Sequence, residues 1–341
     1  LDGRPDYKQA VHWYRKAAEQ DHAKAQNSLG VMYINGLGVR QDFKQANLWF
    51  RKAAEQGHAK AQFNLGLMYF NGEGVRQDYK QVVHWYRKAA EQGHAKAQFN
   101  LGVMYDNGEG VRQDDKQAVY WYRKSAEQGD ADAQHNLGVM YRSGKGVRQD
   151  DKQAVHWYRK AAEQENASSQ HGLGIVYQYG RGVLKDDKQA VYWYRKAAEQ
   201  GYANAQFDLG LMYVNGEGVR QNYKQAAHWY HKAAEQGEVK AQNNLGLMYI
   251  NGLGVSKDYE QANLWYRKAA EQGYANAQFN LGVMYTNGEG VRQDYKLAYM
   301  WFNLARYNGY DTKEISDFIT RKMTSRSISE AQSMSRVCLE S

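Results

Sequence analysis

Cysteine and proline are almost missing from this chain: Cys338 and Pro5 are the only examples in 341 residues. A single thiol excludes an intrachain disulfide and any metal site built from cysteines. It is neutral about compartment, because exported proteins also do without disulfides. The near-absence of proline removes the residue that most effectively interrupts helices. No apolar run approaches the roughly 18 residues that a membrane-spanning helix needs. Catalytic signatures are missing too. There is no Gly-x-Ser-x-Gly elbow, no Gly-x-x-x-x-Gly-Lys phosphate loop and no candidate for a buried nucleophilic cysteine. The sequence therefore points away from an enzyme, and it offers no cradle for a cofactor.

What is present is repetition. The nine tryptophans fall at Trp13, Trp49, Trp85, Trp121, Trp157, Trp193, Trp229, Trp265 and Trp301, always 36 residues apart. The text around them repeats with the same period and without slippage. Eight full copies run from His22 to Gly309, after a partial copy and before a different tail at 310–341. A fixed period of this length marks a solenoid. The chain opens at Leu1, inside a repeat, and so is silent about a leader. Hydrophobic residues make up 43% and aromatics 13%, enough to bury a core.

Each copy predicts two helices. In the first, Ala25, Leu29, Met32 and Tyr33 form one apolar stripe at helical spacing. Gly30 recurs in the middle of this helix despite costing up to ~1 kcal/mol there against alanine, which predicts a neighbour packed too close for a side chain. Asn35-Gly36 supplies a left-handed stop. Asp42 and Gln45 open the second helix as a capping box, and Gly57 closes it. The buried face of that helix is Ala46, Trp49, Phe50 and Ala53, large rings alternating with small residues. In the tail, Ser327 to Glu330 resembles another capping box, predicting one or two closing helices that cover the last repeat.

The pattern Ala-x-Ala-Gln-x-x-Leu-Gly-x-Met-Tyr-x-x-Gly-x-Gly-Val, followed by Ala-x-x-Trp-Tyr-x-Lys-Ala-Ala-x-x-Gly, resembles the Sel-one-like repeat (SLR) family, a relative of the tetratricopeptide repeats. The likeness covers residues 1–309. It implies an all-α fold, a right-handed superhelical α-solenoid of tandem 36-residue helix-turn-helix repeats with first helices lining the concave side. It also implies adaptor or scaffold roles, in bacteria often periplasmic or secreted. Some cysteine-rich members of the family bind β-lactams; the paired cysteines they carry are absent here, so that property does not transfer.

Function is expected where copies differ. Positions equivalent to 24, 27 and 34 share one face of the first helix. Position 31 lies among them but is always Val, Leu or Ile, and is read as packing. The variable positions name a candidate partner-binding face: Phe63, Phe70, Phe99, Asp106, Asp132, His135, Arg142, His171, Gln178, Phe207, Val214 and Phe279. Along the chain the ends of this series are mainly apolar and its middle is ionisable, which suits a protein segment with aromatic anchors and charges that set register. The competing reading packs the phenylalanines between adjacent first helices and leaves the charges as ordinary wet surface.

Two further alternatives are open to test. His135 and His171, with Asp106 and Asp132, offer donors for a divalent metal, although no dedicated ligand spacing is present. The net charge of +8, from 45 Lys and Arg against 37 Asp and Glu, could serve nucleic acid. The basic residues nevertheless recur singly along one edge, and the tryptophans sit on the expected buried stripe. The expectation is a protein partner, no cofactor, no metal, no nucleic acid and no insertion into a membrane.

Overall fold

The computed structural model describes residues 6–340; Pro5 and the opening of the partial first copy lie outside them. Those residues form nineteen α-helices and no strand. They divide into two compact units, residues 1–169 and 170–341. The first unit contains α1 (Tyr7–Glu19), α2 (Ala23–Asn35), α3 (Phe43–Glu55), α4 (Ala59–Asn71), α5 (Tyr79–Glu91), α6 (Ala95–Asn107), α7 (Asp115–Glu127), α8 (Ala131–Ser143) and α9 (Asp151–Glu163). The unit boundary falls within α10 (Ala167–Tyr179). The second unit continues with α11 (Asp187–Glu199), α12 (Ala203–Asn215), α13 (Tyr223–Glu235), α14 (Val239–Asn251), α15 (Tyr259–Glu271), α16 (Ala275–Asn287) and α17 (Tyr295–Tyr307). It ends with α18 (Lys313–Thr320) and α19 (Ser325–Glu340). Even-numbered helices up to α16 are the first helices of the repeats.

Each helix stops where its sequence says. Gly36 adopts φ 65°, ψ 29° at the end of α2, and its N–H donates to the Met32 carbonyl. At the start of α3 the Asp42 carboxylate accepts the Gln45 N–H at 3.0 Å. The stripe of Ala25, Leu29 and Met32 is buried, as are Ala46, Trp49, Phe50 and Ala53. The recurring mid-helix glycine is a close-approach site: a Cβ on Gly30 would lie 2.6 Å from the Phe50 ring, and one on Gly66 would lie 2.6 Å from Tyr86. The helical penalty of glycine is thus offset by a large ring seated against bare backbone.

A buried glutamine in each first helix ties neighbouring second helices together. In the first unit Gln98 donates to the Ala90 carbonyl at 2.9 Å and accepts from Gln128 at 2.7 Å. In the second unit Gln242 donates to Ala234 at 3.1 Å and accepts from Gln272 at 2.9 Å. Both glutamines are nearly inaccessible, so the paired hydrogen bonds are what make their burial tolerable. A second recurring link runs from an arginine of the second helix to a tyrosine of the next first helix, as from Arg87 to Tyr105 and from Arg267 to Tyr285.

The tail differs in detail from its expectation. Two helices form, and Ile319 and Ala331 join Ala298, Tyr299 and Phe302 of α17 in one cluster. Ser327 is not the cap of α19: it lies inside the helix, and Thr324 Oγ1 accepts its N–H at 3.2 Å. Three residues earlier, Thr324 makes the same kind of hydroxyl cap.

Candidate functional site

The first helices carry the candidate residues on a shared face in each unit. In the first unit Phe63 is half-buried between two rings, with centroids 5.5 Å from Tyr86 and 4.8 Å from His94. Phe99 leans on Tyr122 at 6.0 Å and His135 on Tyr158 at 5.7 Å. In the second unit His171 packs on Tyr194 and Tyr202 at 5.5 and 5.3 Å. Phe207 stacks on Tyr230 at 5.6 Å, and Phe279 on Tyr310 at 4.5 Å. These rings fill the space between consecutive helices and show only an edge to solvent. Phe70 is the freer one, 38% exposed and edge-on to Tyr79.

The polar candidates are engaged locally. Asp106 accepts from Lys145 Nζ at 2.5 Å and from the Tyr122 hydroxyl at 3.3 Å, while Lys145 also reaches Asp115 at 3.4 Å. Exposed Asp132 accepts from Asn166 at 3.0 Å. Gln178 accepts from the Tyr194 hydroxyl at 2.7 Å and faces Met212 Sδ at 3.4 Å. Half-buried Arg142 sits near enough to Tyr158 to oppose the rise that burial imposes on its phenol pKa. Val214 packs on the cluster around Tyr230. Burial pushes Tyr86 up to about 12, against a hydrogen bond with Asn100, and Tyr122 higher still with Asp106 beside it. Such phenols stay protonated and act as donors, not as bases.

The two histidines of the metal alternative each have another partner. His135 Nδ1 lies 2.9 Å from Ser169 Oγ, and His171 Nε2 lies 2.7 Å from Asp208 Oδ2. Among the described residues no three His, Cys, Asp or Glu side chains gather as a metal site would require. The nucleic-acid alternative loses much of its stacking surface, because Trp49, Trp85, Trp121, Trp157, Trp229 and Trp265 are all at most 8% exposed; Trp13 of the partial copy departs from the expected buried stripe and is 59% exposed. Open depressions of about 840 and 740 Å³ lie where turns meet second helices, around Arg87, Tyr105 and Asp114 and around Tyr33, Arg40 and Asp42. The same residue types line both, so they belong to the repeat frame.

One correction concerns position 31. Val31, Leu67 and Leu247 are 36%, 38% and 41% exposed, so the position is surface in these copies and not packing. Val103, Val139, Leu211 and Val283 are half-buried in the same register. Seven residues earlier, on the same line of the helix, stand exposed Lys24, Lys60 and Lys96 in the first unit. Residue types alone hid this row. The signal available in the sequence was the pairing of Lys with an aliphatic seven positions on, in three successive copies of the first unit and once more at Lys240 and Leu247.

The recurring Gly–ring contacts, the glutamine links and the 36-residue frame define a repeat-built α-solenoid. The Sel1 repeat model matches residues 1–22, 23–58, 59–94, 95–130, 131–166, 167–202, 203–238, 239–274 and 275–310, and the chain belongs to the Sel1 repeat family. Among solved structures it is similar to a protective antigen of uropathogenic Escherichia coli strains with an SLR fold. The two are 40% identical over 98% of this chain and 80% of that one, with a TM-score of 0.67. It is also similar to a Sel1 repeat protein of Oxalobacter formigenes, 32% identical over 95% of each chain, with a TM-score of 0.72. No curated protein sequence matches it. Among the described residues no helix is long and apolar enough to cross a membrane.

Proposed function

We propose that this protein is a non-catalytic adaptor that holds a protein partner on its first-helix faces. The observation that carries the reading is the row at position 31. An aliphatic recurs there in every full copy although three of the eight are more than a third exposed. Single exposed aliphatics are ordinary, but here they recur at one register, Val31 and Leu67 in neighbouring copies of the first unit and Leu247 in the second, and grouped exposed apolar side chains are a feature of binding surfaces. On the same helices Phe63, Phe99, Phe207 and Phe279 pack against Tyr86, Tyr122, Tyr230 and Phe302. Phe70, Asp106, Asp132, His135 and Arg142 in the first unit border the row with variable chemistry, as do His171, Gln178 and Val214 in the second. A rigid scaffold of this kind binds at little ordering cost. We place the protein outside the bacterial cytoplasm, in the periplasm or secreted, supported by the protective-antigen status of the E. coli relative. In this reading α18 and α19 are a cap that covers the last repeat.

The test is affinity capture with three forms of the chain. One is unaltered; one carries Leu67→Ser, Phe70→Ser and Leu247→Ser on first helices. The third carries Leu48→Ser, Tyr120→Ser and Leu264→Ser on exposed second-helix positions. After circular dichroism confirms equal helicity, a protein retained by the first and third forms and lost by the second supports the reading. Loss with the third form alone would move the interface to the second helices and overturn it.

A further inference from the structure

We infer that the first-helix face of the first unit is built for an acidic, apolar protein segment. The inference rests on the adaptor reading and names the partner chemistry for one of its faces. Lys24, Lys60 and Lys96 stand in the first turns of α2, α4 and α6, all exposed. Consecutive first helices touch: Asn64 of α4 donates to Asn27 of α2 at 3.1 Å. The three lysines therefore recur on the same face of successive first helices. Among the described residues none has a carboxylate within ion-pair distance; Glu55 and Glu91 close the preceding second helices without reaching them.

The field of this row is visible in the residues between its members. His58 has its pKa lowered by burial and then by Lys24 and Lys60; His94 is lowered by burial and then by Lys60 and Lys96. Each imidazole thus sits between two uncompensated ammonium groups and stays neutral at neutral pH. Parallel to the lysines runs the aliphatic row of Val31, Leu67 and Val103. The next copy ends the pattern, with Asp130 capping α8 and Asp132 in the place of the lysine.

Positive charges along one edge and aliphatics beside them call for a ligand with the complementary order, carboxylates flanking apolar side chains. The same charges could hold phosphates of nucleic acid, but Phe63 beside them is already stacked on Tyr86 and His94 within the fold and is engaged there. An extended polyproline-type segment rises about 3.1 Å per residue with three residues per turn, so every third side chain faces one way at about 9 Å. A segment of that form presents one carboxylate after another along the face that the lysines share.

Fluorescence anisotropy of the full chain with a labelled peptide of repeated Glu-Leu-Pro triplets, at low ionic strength, tests this. Saturable binding is expected, with Lys-Leu-Pro and Glu-Ser-Pro peptides and a single-stranded oligothymidylate each binding far more weakly. The triple variant Lys24→Glu, Lys60→Glu and Lys96→Glu should weaken the Glu-Leu-Pro peptide roughly ten-fold or more. Lys240→Glu, the same change in the second unit, should leave it unchanged. No saturable Glu-Leu-Pro binding, an unaltered affinity in a folded triple variant, or equal binding of the oligothymidylate overturns the inference. Binding of Lys-Leu-Pro that Leu67→Ser abolishes would reject the acidic preference and keep the adaptor reading. Peptide binding that neither Leu67→Ser nor the lysine variant affects would reject the first-helix face itself.

Discussion

The two compact units share one frame and present different faces. In the first unit the opening turns of α2, α4 and α6 carry His22 with Lys24, His58 with Lys60, and His94 with Lys96. In the second, α12, α14 and α16 carry Tyr202 with Asn204, Glu238 with Lys240, and Tyr274 with Asn276. Beneath these positions the packing is the same. Gly66 meets Tyr86 and Gly210 meets Tyr230, each with 2.6 Å left for a Cβ. Gln98 and Gln242 make equivalent pairs of hydrogen bonds. The comparison separates what folds the repeat from what the repeat displays, and substitutions in matched pairs can test the separation.

The largest effect should come from the ring seated on the helical glycine, and it should not distinguish the units. Phe50 and Phe302 are both fully buried against Gly30 and Gly282. Phe50→Ala and Phe302→Ala are each expected to cost about 3–5 kcal/mol, the usual range for a core phenylalanine. Urea unfolding followed by helicity checks this, with hydrogen exchange locating the loss. A repeat array shares stability with its neighbours, so exchange should rise in the mutated repeat and those beside it. A difference of several kcal/mol between the two variants would show that the frames are not equivalent.

The glutamine links come next. Gln98→Leu and Gln242→Leu keep the volume roughly constant and remove both bonds of the buried amide. The Ala90 and Ala234 carbonyls keep the N–H of Gly93 and Gly237, and exposed Gln128 and Gln272 keep their bonds to the Lys124 and Lys268 carbonyls. Each should destabilise by about 1–3 kcal/mol, two hydrogen bonds at about 0.5–1.5 kcal/mol apiece. Gln128→Leu, which removes only one of the two bonds from an exposed position, should cost less than Gln98→Leu.

These two comparisons also show how much the sequence disclosed. The helix pair, its glycine stop, its aspartate cap and the close approach at Gly30 were all legible, because repetition at fixed spacing separates structural positions from variable ones. The glutamine link was not, since glutamine alone reads as a surface residue and only its geometry shows two partners. Position 31 misled for the opposite reason. Hydrophobic residues are inside only as a one-way rule, and a constant aliphatic such as Leu67 can be constant because it is exposed to a ligand. At the candidate site the face was legible from helical spacing, but not the engagement of its members. No sequence pattern pairs His171 with Asp208 or Asp106 with Lys145, 37 and 39 residues apart.

Acid should separate the units. His58 and His94 each accept an N–H through Nδ1, from Ala61 and Ala97 at 3.2 Å, and both have pKa values below the ordinary histidine range. The folded chain therefore binds these protons less readily than the unfolded one. Their stabilising contribution is complete above the unfolded pKa of about 6.5 and is lost as pH falls through that value towards the lowered folded one. Protonation also removes the lone pair that caps the helix. Between neutral and mildly acidic pH, exchange at Ala61 and Ala97 should accelerate. In the second unit α12 and α16 have no side-chain cap bond to lose, so their first turns should change less. His58→Asp with His94→Asp, which copies the Asp130 cap of α8, should flatten the response. A response of equal size in α12 and α16 would mean that the histidine caps are not its source.

The smallest effect on stability is expected where the largest effect on binding is proposed. Lys24, Lys60 and Lys96 are exposed and have no ion-pair partner among the described residues, so Lys24→Glu, Lys60→Glu and Lys96→Glu together remove no packing and no paired charge seen there. Surface changes of this kind fall within about ±0.5 kcal/mol each, and carboxylates in the first turn of a helix interact favourably with its dipole. The triple variant should therefore unfold at nearly the same urea concentration as the unaltered chain, or slightly higher. Equal stability with weakened peptide binding would place these lysines among the displayed positions, independent of the frame. A loss of stability comparable to that of Gln98→Leu would instead make the lysines part of the structure, and the difference between the two units would no longer concern partners.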